Sequence, residues 1–132
     1  MTNAEIQVGE YVRTKNGIIG TLIEISKAGN GARYAGEYIT DTIISIYTNP
    51  HKEVRVKDKE VKSHSENIID LIEEGDYVNG GKVFREHTAN GEEKLLVNFC
   101  YTRIPLKIVD IKTIVTKEQF EAMEYKVGGE DD

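Results

Sequence analysis

Chemistry in a protein chain needs nucleophiles, titratable groups or phosphate-cradling loops at workable spacing, and this sequence offers few. His51, His64 and His87 lie far apart, with no His or Cys partner at metal-ligand spacing. Each is expected on the surface. Cys100 sits in the apolar run 95–101. It reads as a half-buried structural cysteine, because neither a base nor a helix start accompanies it. The carboxylate neighbours Glu73-Glu74, Glu92-Glu93 and Asp131-Asp132 would point to opposite faces of a strand and read as solvated charge. No catalytic residue, metal ligand or cofactor is expected, and the chain does not read as an enzyme.

Two sets of residues are better suited to binding. The stretch 26–36 is glycine-rich, with Gly29 and Gly31 followed by Arg33. A dinucleotide or P-loop cradle lies between a strand and a helix. Here a strand is expected to follow, and no Gly-Lys-Ser/Thr is present, so those motifs are excluded. What remains is a loop in which Lys27, Arg33 and Tyr34 are placed to close over an anion or dock on a partner. The second set is Tyr101 and Arg103. Exposed Tyr beside Arg suits protein interfaces and also base stacking.

Charge weighs between these partners. The 132 residues carry a formal net charge of −6. Residues 1–66 balance nine Lys/Arg with nine Asp/Glu, and residues 67–132 set eight against fourteen. An acidic surface opposes phosphate neutralisation, and the stretch 52–62 alone supports a nucleic-acid reading. One cysteine, no basic-then-apolar leader and no long apolar run lead to a cytoplasmic expectation without membrane contact.

The elements that must position these residues repeat. Val8-Gly9-Glu10-Tyr11-Val12 reads against Glu74-Gly75-Asp76-Tyr77-Val78, half a chain apart. Each start leads into a Gly-containing apolar stretch. Asn16-Gly17 and Asn90-Gly91, flanked by apolar runs, predict type I′ hairpins. Asn79-Gly80 predicts a turn or bulge. Further strands are predicted at 37–47 and 107–115, and an exposed strand or hairpin at 52–62. Residues 65–72 link the halves as a short turn or closing strand. Thr116 and Gln119 form a capping box opening a helix near 117–124, with Phe120 and Met123 as its buried stripe. Tyr11 and Tyr77 are expected in equivalent core positions. Short strands with regular turns predict a mainly β fold. Its expected form is two tandem small SH3-like barrel or roll units, 1–66 and 67–132, with one short C-terminal helix. The alternative is one intertwined β-roll.

Residues 63–80, Ser-His-Ser-Glu-Asn-Ile-Ile-Asp-Leu-Ile-Glu-Glu-Gly-Asp-Tyr-Val-Asn-Gly, resemble a segment of small uncharacterised proteins of phages and prophages of Firmicutes. Residues 113–120 are similar to their usual ending. The resemblance implies phage origin and a small β fold, and supplies no activity or catalytic residue. The function expected is a phage accessory protein that binds a host protein, as an inhibitor of a defence or regulatory factor. The alternatives are sequestration of a small anionic ligand such as a nucleotide signal, and an SH3-like nucleic-acid module. Assembly into a homo-oligomer is left open.

Overall fold

Gly9 and Gly75 open the two halves with the same backbone, φ +101° and +98°, a left-handed conformation that glycine adopts without a side-chain clash. The acid that follows each glycine closes the turn. The Gln7 N–H donates to Glu10 Oε1 at 2.9 Å, and the Glu73 N–H to Asp76 Oδ2 at 2.7 Å. The backbone answers in kind: Glu10 N–H to the Gln7 carbonyl and Asp76 N–H to the Glu73 carbonyl, both 3.1 Å. The acid is therefore a local acceptor that fixes where each first strand begins.

The computed structural model describes residues 6–27, 33–34, 37–38, 42–48 and 51–123, with backbone alone at 33–34 and 37–38. Its strands are β1 Tyr11–Thr14, β2 Ile19–Ser26, β3 Arg33–Tyr34, β4 Glu37–Tyr38, β5 Ile43–Thr48, β6 Lys52–Lys57, β7 Val61–Ser65, β8 Tyr77–Val78, β9 Gly81–His87, β10 Glu93–Phe99, β11 Thr102–Pro105 and β12 Ile114–Val115. One helix, α1, spans Lys117–Met123. The fold is mainly β, with two antiparallel five-stranded sheets and this short helix. No helix among the described residues is long and apolar enough to cross a membrane.

Contacts divide the chain into two units, Met1–Leu71 and Ile72–Asp132. The first sheet runs β6-β5-β2-β1-β7 and the second β11-β10-β9-β8-β12. In each, four strands meander and the fifth returns to pair with the first. In each, a one-turn 3₁₀ helix, Asp58–Glu60 or Leu106–Ile108, precedes the return. The glycines beside the first strands match as well. Gly20 pairs with Val12, and Gly81 with Val78. A Cβ on Gly20 would meet Ile46 Cγ2 at 2.3 Å, and one on Gly81 would meet Val97 Cγ1 at 2.7 Å. Each sheet thus packs one third-strand side chain into the space a second-strand side chain would occupy.

The first core is Val12, Leu22, Ile44 and Ile46, with Ile6, Ile25, Val56 and Val61 against it. In the second unit Ile72, Val78, Val83, Leu96, Val97 and Leu106 are buried. Tyr11 and Tyr77 are not the core residues: both are half-buried on the opposite face, and the valines after them point inward. The Ile68–Leu71 segment forms a 3₁₀ turn over the first sheet, where its Leu71 carbonyl accepts from the buried Arg13 guanidinium at 2.8 Å.

Several turns differ from expectation. Asn16-Gly17 and Asn90-Gly91 are not type I′ turns, which need positive φ at both central residues. Only Gly17 and Gly91 have it. In both, the glycine N–H returns to the carbonyl of a threonine, Thr14 or Thr88, whose hydroxyl accepts the next amide, of Ile18 or Glu92. That is a type I turn followed by a glycine bulge. The type I′ pair is Asn79-Gly80, φ +51° and +85°. The strand expected at 107–115 is confined to Ile114–Val115. Before it, the Asn79 carboxamide oxygen accepts from Lys112 and Thr113 at 2.8 and 3.0 Å, holding the chain outside ladder geometry. The strand expected at 37–47 divides into β4, paired with β3 in a separate ribbon, and β5. Residues 39–41 lie outside the described residues.

Candidate functional site

Alternation in β9 sets the site. Gly81 and Val83 face the core, so Lys82, Phe84 and Glu86 face outward. Register brings the outward residues of the neighbouring strands beside them. Lys82 pairs with Asn98 and Asn98 with Arg103; Phe84 pairs with Leu96 and Leu96 with Pro105; Glu86 pairs with Lys94. Tyr77 pairs with Lys82 and extends the first row. One face therefore carries a polar row, Tyr77-Lys82-Asn98-Arg103, beside an apolar row, Phe84-Leu96-Pro105, whose middle residue is buried between its half-buried neighbours.

The arrangement is ordered by stacking. The Arg103 guanidinium carbon lies 5.4 Å from the Phe84 ring centroid, a cation–π distance. Tyr77 stacks on Phe120 of α1 with centroids 4.8 Å apart and planes at 22°. Phe120 remains 43% exposed and Met123 73% exposed, so the expected buried stripe of α1 is not formed. Phe120 covers the outer face of the sheet, not its core. The capping box does form: the Thr116 N–H donates to Gln119 Oε1 at 3.1 Å and the Gln119 N–H to Thr116 Oγ1 at 3.2 Å. It fixes the helix over Tyr77, aided by the Lys117 N–H donating to the buried Asp76 Oδ1 at 2.9 Å.

Charge on this face opposes that of its unit. Residues 72–132 hold eight Lys/Arg against thirteen Asp/Glu. The outer face gathers Lys82, Lys94 and Arg103, with Glu86 as the acid in the same rows. Lys82, Lys94, Asn98 and Arg103 are all exposed. At the turn joining β10 to β11, Tyr101 is 98% exposed. Cys100 beside it is exposed as well, so it is not the half-buried cysteine expected; the run 95–101 ends in a turn, and the turn carries it out of the sheet.

Of the five residues singled out from the sequence, Tyr101 and Arg103 belong to this face. Lys27 is exposed at the end of β2 in the other unit. Arg33 and Tyr34 form β3, and their side chains lie outside the described residues, as do residues 28–32 and 35–36 of the glycine-rich stretch. Lys82, Phe84 and Asn98 were not singled out. Their signal is long-range register, which becomes visible only when β9, β10 and β11 are aligned.

The matching row in the first sheet is Tyr11-Thr21-Tyr47-Glu53. It carries an acid where the second carries Arg103, and Glu53 is paired with Arg55 at 3.0 Å. The histidines have structural neighbours. His51 Nδ1 meets the Tyr47 hydroxyl at 2.8 Å, His64 Nδ1 meets Glu10 Oε1 at 2.9 Å, and His87 lies 3.7 Å from Glu93. His64 is half-buried, not a surface residue, because β7 returns beside β1 and its acid. Among the described residues no cluster of His, Cys, Asp or Glu is arranged to hold a metal ion. Comparison with protein-family models, with curated proteins and with solved structures finds no match to this chain.

Proposed function

We propose that this chain is a non-enzymatic binding protein that engages a partner protein through the outer face of its second sheet. The observation that carries the reading is Arg103 lying over Phe84 beside Lys82, with Tyr101 fully presented at the adjoining turn. Interfaces favour Arg and aromatic anchors around an apolar centre, and here the half-buried Phe84 and Pro105 form that centre on either side of the buried Leu96. The reading takes both units as SH3-like. The shared strand order, with one 3₁₀ turn before the returning strand, supports it. On the resemblance of residues 63–80, the partner is a host protein, the chain is a phage accessory factor acting in the host cytoplasm, and binding inhibits a defence or regulatory function.

The test is cross-linking in host lysate with the intact protein and three variants. Tyr101→Ala and Arg103→Glu should each lose the cross-linked partner, and Glu53→Arg on the first sheet should retain it. Retention by all three variants would remove this face from the function.

A further inference from the structure

We infer that the segment recognised on this face is an extended acidic peptide with carboxylates two residues apart, crossing the strands along the polar row. The inference rests on the binding reading above and adds the chemistry of the partner.

The spacing follows from the sheet. Lys82, Asn98 and Arg103 sit on three successive strands. Neighbouring strands are about 4.8 Å apart, so the backbones of Lys82 and Arg103 stand ~10 Å apart, and the Arg103 guanidinium, drawn toward Phe84 of β9, brings its charge closer to Lys82 than that. An extended peptide advances about 3.3 Å per residue and turns alternate side chains to the same face, so side chains at positions one and three, about 6.6 Å apart, face the two cations together. Asn98 between them offers both a donor and an acceptor to the intervening peptide backbone. Arg103 is the stronger end. Its guanidinium is laid against Phe84, and a planar fork held in place can take a carboxylate through two parallel hydrogen bonds.

Charge and stacking both favour acidic peptide over nucleic acid. Single-stranded nucleic acid is held by open aromatic faces along a basic groove. Here Phe84 is faced by Arg103, and Tyr77 and Phe120 face each other. Tyr101 is left as the open ring. The surrounding unit has more acids than bases, which disfavours a polyphosphate running beyond this row. A short peptide with two carboxylates needs only the row itself. The Tyr77–Phe120 stack, at the end beyond Lys82, gives an apolar residue next to the acidic pair a surface to rest on.

The experiment is titration of the full isotopically labelled protein, followed by amide signals. Four probes are used: a peptide containing Glu-Ser-Glu-Val-Leu, its counterpart with the two glutamates adjacent, its counterpart with glutamine at both positions, and an oligothymidine of equal length. The expected result is that the first peptide shifts amides around residues 82–84, 98 and 101–103, and that it binds more weakly as salt rises. Arg103→Glu and Lys82→Glu should each weaken it by about tenfold, the loss of one charge-assisted bond. Lys82→Glu leaves the Arg103–Phe84 stack in place, so the test does not depend on that stack surviving. Equal binding of the glutamine peptide would overturn the acidic requirement while leaving the face as a binding surface. Equal binding of the adjacent-glutamate peptide would overturn the spacing. Tighter binding of oligothymidine at the same amides would replace the peptide with nucleic acid. No shift with any probe would overturn this inference, while the binding reading would still stand or fall on the lysate variants.

Discussion

His64 closes on Glu10 at 2.9 Å, tying the returning strand of the first sheet to the turn that starts it. The same Oε1 accepts the Gln7 amide, so one carboxylate holds a turn and a strand. Asp76 has the same double task in the second unit, but its second donor is the backbone of Lys117. The two units share a closing site and use different donors in it.

The pair in the first unit is expected to be energetically coupled. His64→Ala should lower the stability of that unit by about 1 kcal/mol, as for a half-buried hydrogen bond. Glu10→Ala should cost more, because the Gln7 amide also loses its acceptor. Urea titration followed by amide signals from residues 11–65, on both single variants and the double, gives the coupling. Strictly additive losses would show that the contact contributes nothing.

Asp76 is fully buried, and Asp76→Ala leaves two amides, of Glu73 and Lys117, without their side-chain acceptor. The expected loss is about 2–4 kcal/mol. Asp76→Asn keeps one acceptor oxygen and should recover part of it. In hydrogen exchange, the Lys117 amide should lose protection in the alanine variant before the β9–β10 amides do. A uniform loss across the unit would mean that Asp76 does not specifically hold α1.

Close packing against the two strand glycines should be unequal. At Gly20 the added methyl group meets the Tyr47 carbonyl oxygen at 2.5 Å as well as Ile46, whereas at Gly81 the nearest atoms are side chains of Val97 and Phe99. Side chains rearrange more readily than backbone. Gly20→Ala is expected to cost about 3 kcal/mol and Gly81→Ala about 1–2 kcal/mol, within the range for overpacking. Denaturant midpoints for the two units check the order, and a reversed order would refute it.

Asn79 combines a positive φ with three side-chain hydrogen bonds to the chain ahead of β12, two accepted from Lys112 and Thr113 and one donated to the Asp110 carbonyl. Asn79→Gly keeps the backbone conformation and loses the side-chain bonds. Asn79→Ala loses both and should be worse by roughly 1 kcal/mol. Both variants should expose the Lys112 and Thr113 amides to exchange. Protection unchanged in either would show that the carboxamide does not anchor this segment.

The doubled start was legible because its residue types are forced. Positive φ favours glycine, and the next position needs a side-chain acceptor that reaches back three residues. What alternation could not supply is phase. Tyr11-Val12 and Tyr77-Val78 fit either face inward, and a one-residue choice exchanges core for surface. The sequence pattern therefore puts the tyrosines inside, and the sheets put the valines there. Asn-Gly was ambiguous for a similar reason. It serves a type I′ turn at residues 79–80 and a bulged type I turn after Thr14 and Thr88, and the threonine two residues earlier decides. At the binding face, Tyr101 and Arg103 stand out as near neighbours in the chain. Lys82, Phe84 and Asn98 join them only through pairing between strands.

The second and third strands of the first sheet are separated by residues 27–42, while their counterparts in the second sheet are joined by the short turn at 88–92. The closing contacts accordingly span 54 residues in one unit and 41 in the other. Closure entropy grows only with the logarithm of loop length, so the longer excursion costs about 0.2 kcal/mol more. A detour of that size hardly burdens the sheet that carries it. The junction between β2 and β5 is thus where this architecture can accept new sequence, whether by natural insertion or by a grafted epitope, without disturbing the clasp between Glu10 and His64.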